Sequence, residues 1–109
     1  MELDEIYTKL KRLDIPVAYL KFNKPQNLPF AVYYEDGGTV EGADGYNLYR
    51  RTNIIVELYT ERKDIALERR IEELFRSQPL EKDVDTFLKE ENMHMTAYEF
   101  ENITFFEED

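Results

Sequence analysis

YNLYRRTNIIVELYT, residues Tyr46–Thr60, is the stretch that decides the fold. Thr52, Ile54, Val56 and Leu58 place an apolar or β-branched side chain at every second position. Arg51, Asn53, Ile55, Glu57 and Tyr59 fill the alternate ones. That period of two belongs to a strand with one face against a core. Downstream, TERKDIALERRIEELF changes the period to about 3.6 residues. The change predicts a helix that folds back across the apolar face of a long, central strand.

This second helix is expected over residues 62–77, with Leu67, Ile71, Leu74 and Phe75 as its buried stripe and Gln78-Pro79 as its stop. Thr60 is a candidate cap, and Asp64 lies early enough to favour the helix dipole. Arg69, Arg70 and Arg76 alternate with Glu68, Glu72 and Glu73, the pattern of a solvated face rather than an anion site. The opening segment MELDEIYTKLKRLD carries Leu3, Ile6, Tyr7, Leu10 and Leu13 at helical spacing. Its acids lie early and its bases late, as the helix dipole favours, and Pro16 ends it by restricting Ile15 to extended geometry. The two apolar stripes, through Leu3, Ile6, Leu10, Leu67, Ile71 and Leu74, are expected on the same sheet face.

VAYLKF (17–22) and FAVYYE (30–35) read as strands, and the short connection between them favours an antiparallel pair. The four glycines of the chain all fall in DGGTVEGADG. Residues 36–45 are therefore expected as a flexible hairpin loop or as bulged strand ends. Beyond Pro79, strands are expected over 84–90 and 93–100. The second shows His94, Thr96, Tyr98 and Phe100 on one face and Met93, Met95 and Ala97 on the other, and either face could point inward. Residues 101–109 prolong that strand or form an extended, partly ordered tail; Phe105 and Phe106 fold against the core or serve a neighbour.

The 109 residues suit a single domain with one modest core. A formal net charge of -10 disfavours nucleic acid or an anionic membrane as a direct partner, since both attract cationic surfaces. Absence of cysteine excludes a disulfide scaffold and thiolate metal sites. There is no apolar run long enough to suggest a membrane span, and no signal-peptide pattern. Aromatic residues at 14% beside 35% charged residues mark a folded domain with a solvated surface. His94 is the sole histidine and Ser77 the sole serine, at a helix end, so no nucleophilic constellation emerges. The glycine-rich stretch lacks the lysine and the Ser or Thr of a phosphate-binding loop. Asp36, Glu41 and Asp44 lack the spacing of a calcium loop. No enzyme activity, cofactor, metal or small-molecule substrate is expected; a pocket joining His94 to a carboxylate in register would favour catalysis.

An amphipathic helix running into IPVAYLKF, then PFAVYY, an AD-containing loop, IIVELYTERKD, ERRIEELF and a late YEFE strand resembles the tail terminator and tail completion (head-tail joining) proteins of long-tailed bacteriophages and prophages. The resemblance spans nearly the whole chain. It implies a structural virion protein, assembled in the bacterial host cytoplasm, that self-associates into a ring at the head-proximal end of the tail. Six subunits is the ring size it suggests. Such a ring ends tube growth and is docked by head connector proteins, with tail tube protein on its other side and DNA passing through without specific binding. The family supplies no catalytic residues. A head-completion or connector protein, and a small intracellular protein-binding adaptor, are the alternatives.

The expected fold is therefore α+β: a mainly antiparallel four- or five-stranded sheet, two helices on one face, in the order α-β-β-β-α-β-β. Candidate partner or lumen contacts are Asp36, Glu41 and Asp44 on the glycine-rich stretch, Arg51, Ile55, Glu57 and Tyr59 on the outer side of the long strand, and Phe105 and Phe106.

Overall fold

A computed structural model describes residues 1–43 and 45–107. The elements follow the expected order: α1 (Leu3–Lys11), β1 (Val17–Tyr19), β2 (Phe30–Ala43), β3 (Tyr46–Thr60), α2 (Ile65–Leu74), β4 (Glu81–Leu88) and β5 (Met93–Phe105). They form an α+β fold with one mixed, mostly antiparallel five-stranded sheet ordered β1-β2-β3-β5-β4. The long strand is central, as its alternation demands. Thr52, Ile54, Val56, Leu58 and Thr60 are buried, while the residues between them are half-buried on the opposite face.

Ile6 and Leu10 of α1 and Leu67 and Ile71 of α2 join Ile54, Val56, Leu58, Tyr98 and Phe100 in one core; Leu3 and Leu74 pack at its edge. The face of β5 left open by sequence is fixed by register. Ile54 stands opposite Phe100 and Val56 opposite Tyr98, so the His94, Thr96, Tyr98, Phe100 face turns to the helices. Asp64, not Thr60, caps α2, accepting a hydrogen bond from the Leu67 N–H at 3.0 Å. Thr60 is still the last residue of β3. Nor is Arg70 simply solvated. Its guanidinium donates to the Arg12 carbonyl at 3.0 Å, satisfying an orphan acceptor at the end of α1.

One expectation needs correction, and one alternative is settled. β1 pairs with β2 in parallel, Val17 opposite Ala31 through Tyr19 opposite Tyr33, rather than antiparallel. Leu20, at φ 67, turns the chain out of β1, and the segment between Tyr19 and Phe30 returns it to the starting end of the sheet. A parallel pair requires such a crossover. The glycine-rich stretch, expected as a flexible hairpin loop or as bulged strand ends, takes the second form: it is paired strand through Ala43, interrupted by irregularities between Asp36 and Gly38 and between Glu41 and Gly42. Gly37, at φ 67, is the unpaired residue of the first bulge, and Gly38 lies where a Cβ would stand 2.4 Å from the Arg51 carbonyl oxygen. Glycine is needed here to continue the ladder, not to end it. The result is a three-stranded arm from β2, β3 and the end of β5 that lengthens the domain to 51 Å against 28 and 26 Å across. No described helix is long and apolar enough to cross a membrane.

Candidate assembly surfaces

The sheet face away from the helices carries a continuous aromatic and apolar strip. Phe30 and Tyr59, directly paired across β2 and β3, stack with ring centroids 5.0 Å apart. Beside them Glu57 accepts hydrogen bonds from both neighbouring phenols: Tyr34 on Oε2 at 2.9 Å and Tyr59 on Oε1 at 2.8 Å. Burial and the adjacent carboxylate push the Tyr34 hydroxyl up to about 12 and raise Tyr59 as well, so both phenols stay protonated donors across the physiological range. Ile55 lies between Tyr34 and Glu99 in register, half-buried on the same face.

The β1–β2 crossover lies along this face and makes it concave. Phe22 packs edge-on against Phe30 at 5.4 Å. The groove so formed has a volume of about 570 Å³, between Leu20, Phe22 and Lys24 of the crossover and Phe30, Tyr59 and Met93 of the sheet, with Glu57 also in its lining. Lys21 and Lys24 stand at its wall, and neither makes an ion pair among the described residues.

At the opposite end of the sheet, the arm exposes apolar side chains. Tyr46 is 76% exposed and Phe105 71%, with Val40, Leu48 and Ile103 also open to solvent. Arg51 fastens the arm by bridging Glu41 on β2, at 2.8 Å, and Glu101 on β5. Phe105 is not folded against the core; its ring leans on Tyr49 at 6.0 Å. Phe106 lies under the Arg50 guanidinium at 3.8 Å. Asp36 is exposed on β2 opposite Asn53. Asp44 lies outside the described residues. The nine candidate contacts thus divide. Glu57 and Tyr59 meet at the groove, Glu41 and Arg51 meet on the arm, and Phe105 lies on the arm beside Tyr49. Sequence reading missed the groove residues of the crossover and the exposed Tyr46 and Leu48. The available signal was the acid-free run from Ile15 to Tyr34, whose only charges are Lys21 and Lys24.

A second polar cluster ties α2 to β4 and β5. Glu68, only 2% exposed, accepts from Lys63 at 2.8 Å and Lys82 at 2.7 Å on the same oxygen. Lys63 also reaches Asp85 at 2.5 Å, and the Asp85 carboxylate lies 2.5 Å from His94 Nε2. Burial alone would raise the Glu68 carboxyl, but the two lysine hydrogen bonds outweigh it and hold the group below its usual range. Asp85 is lowered by Lys63 first and by His94 second. Oxygen and nitrogen donors of Glu68, Asp85 and His94 fall within 4.8 Å of one another, a spacing compatible with a divalent cation. The Lys63 ammonium already spans Glu68 and Asp85, and Lys82 supplies a second cation. Glu72 also lies 3.4 Å from Lys82, so three carboxylates share two ammonium groups beside His94, and the cluster acts as an ion-pair clasp between helix and sheet. Tyr98 extends it, donating to Glu72 at 2.7 Å. His94 meets the Asp85 carboxylate diagonally across β4 and β5, its register partner being Phe87, so the contact is only part of the feature expected to favour catalysis, a pocket joining His94 to a carboxylate in register. Its Nε2 is engaged with Asp85, and no serine or cysteine is among the residues hydrogen-bonded in the cluster.

In comparisons with known proteins, the chain matches no protein-family model and no curated sequence.

Proposed function

We propose that this protein is a non-catalytic structural assembly subunit that closes into a ring, the ring being a tail terminator at the head-proximal end of a phage tail. The observation that carries the reading is the pair of unlike apolar surfaces at opposite ends of one sheet: a convex arm bearing Tyr46, Leu48 and Phe105, and a concave groove walled by Phe22, Phe30 and Tyr59. Surfaces of different shape support head-to-tail contacts, which close into a ring when the rotation between copies allows it. A large exposed apolar area at the end of a small domain is characteristic of a contact surface. The acidic balance suits the same role. Like charge around a channel repels phosphates and keeps transit of DNA free of sticking.

The experiment is capping of tail tubes. Purified tubes of the tail protein, incubated with this protein and imaged by negative-stain electron microscopy, are expected to carry added density at one end and to stop elongating when further tube subunits are supplied. Tubes that remain bare and continue to grow at both ends refute the tail-terminator reading. Binding to isolated connectors without any effect on tubes would instead identify a head-completion protein.

A further inference from the structure

We propose that the arm tip of one copy, led by Tyr46 and Leu48, docks in the groove between the β1–β2 crossover and the open sheet face of the next copy. The inference rests on the ring reading and specifies its interface. The groove, at about 570 Å³, lies within the range that encloses a drug-sized organic group, and it takes a tyrosine ring together with a leucine side chain. Its walls are aromatic and apolar: Leu20, Phe22, Phe30, Tyr59 and Met93. Its polar lining is selective. A carboxylate offers about four acceptor positions, and Glu57 spends two on Tyr34 and Tyr59. What remains suits a donor on the occupant, and the Tyr46 phenol, on a residue 76% exposed in its own copy, is such a donor. A tyrosine entering ring-first keeps its apolar body on the walls and its hydroxyl on Glu57.

Charge points to the same pairing. The arm's outgoing and returning strands, residues 35–51, carry Glu35, Asp36, Glu41 and Asp44 against Arg50 and Arg51, and Glu101 of β5 adds a further acid, so the arm is acidic on balance. The crossover that walls the groove holds Lys21 and Lys24 within an acid-free run of an otherwise acidic chain, facing Glu57 and Glu91 on the other side of the groove. An arm that is acidic on balance, approaching along the crossover side of the groove, meets Lys21 and Lys24, while most other pairings of two copies of net charge -10 bring like charges together. Complementarity of this kind fixes which end meets which. The groove is at the Phe30 and Tyr59 end of the β2–β3 ladder and the tip at the Ala43 and Tyr46 end. The contact is thus head to tail and repeats from copy to copy.

Sedimentation velocity on wild type and two variants tests it. The arm variant combines Tyr46→Asp with Leu48→Asp, and the groove variant combines Lys21→Glu with Lys24→Glu, all at exposed positions. Wild type is expected to form species larger than a dimer. Each variant alone is expected to self-associate at least about tenfold more weakly, the scale of losing one principal interface contact. Mixed in equal amounts, they are expected to form a one-to-one dimer and nothing larger, because the arm variant retains an intact groove and the groove variant an intact arm. The groove changes lie on a surface segment, so the test holds even where circular dichroism shows the arm variant misfolded: the groove variant mixed with wild type must then terminate assemblies. Wild-type assembly that both variants reproduce, or a mixture that stays monomeric, overturns this interface and leaves the ring reading standing. A wild type that is monomeric at every concentration overturns both.

Discussion

Replacing Ile71 by alanine probes the junction of α2 with the sheet, on which the whole architecture depends. Ile71 is fully buried in the same core cluster as Leu10, Ile54, Phe75 and Phe100. The substitution removes three carbon atoms. At about 0.8 kcal/mol per buried methylene, the lost transfer free energy is about 2.4 kcal/mol. A residual cavity of about 50 Å³ adds about 1.2 kcal/mol at about 24 cal/mol per Å³, for a total near 3.6 kcal/mol. With a urea m-value of about 1.5 to 2 kcal/mol/M, the unfolding midpoint falls by about 2 M. Ile65→Ala, at the start of the same helix, is the internal control. That side chain is 53% exposed, and its loss is expected to stay within about 0.5 kcal/mol. Equilibrium urea denaturation followed by circular dichroism measures both. An Ile71→Ala midpoint equal to wild type, or equal losses from the two variants, refutes the packing of α2 on the sheet described above.

Stability is expected to fall on the acid side through the Glu68 clasp. Glu68 and Asp85 both titrate below their ordinary values of 4.5 and 3.8, so their contribution is complete above those values and is lost as pH falls through the lowered folded ones. Glu99, raised by its hydrogen bond to Asp83, acts in the opposite sense: its protonated form is favoured by folding. Urea midpoints at stepped pH should therefore decline below about pH 4.5, and Glu68→Gln should flatten that decline; an unchanged acid slope in the variant argues against the clasp. Gly42→Ala should disorder the arm, because the new Cβ would lie 1.7 Å from the Tyr46 carbonyl oxygen, a backbone atom with little room to retreat. Amide exchange at Thr39 through Ala43 should accelerate while that of Ile54 and Val56 stays protected, and equal protection in both segments would contradict the arm's pairing with β3.

The parts of the fold legible in the sequence are those where one side chain's neighbours in sequence also determine its environment. Thr52, Ile54, Val56 and Leu58 repeat with the pleat, and Leu67 and Ile71 repeat with a helical turn, so strand, helix and their mutual packing could be read directly. The parallel pairing of β1 with β2 was hidden because a strand read through Phe22 leaves only a short, hairpin-like connection, whereas β1 ends at Tyr19 and frees residues 20–29 for a crossover. What selects the crossover is the path of residues 20–29 over the open face, a tertiary fact. The arm stayed open between loop and bulged strand for a different reason. Glycine signals a turn when its neighbours are unpaired, yet Gly37 marks a bulge and Gly38 a close approach to β3 within a continuing ladder. Likewise Ile55, Glu57 and Tyr59 could be placed on the outer face by alternation alone. The groove beside them could not, since Phe22 and Lys24 reach it only through that crossover. The Glu68 clasp was concealed by pattern: Glu68 sits among alternating charges that resemble a solvated face, and its burial beside Lys63 and, on β4, Lys82 is set by tertiary packing.

Native mass spectrometry of the wild-type protein, titrated over concentration and paired with electron micrographs of the same samples, tests the central claim most directly. The account expects a closed species of fixed stoichiometry, appearing as rings, that gains mass no further as concentration rises. A protein that stays strictly monomeric in every condition, including with purified tail tubes and connectors, contradicts it.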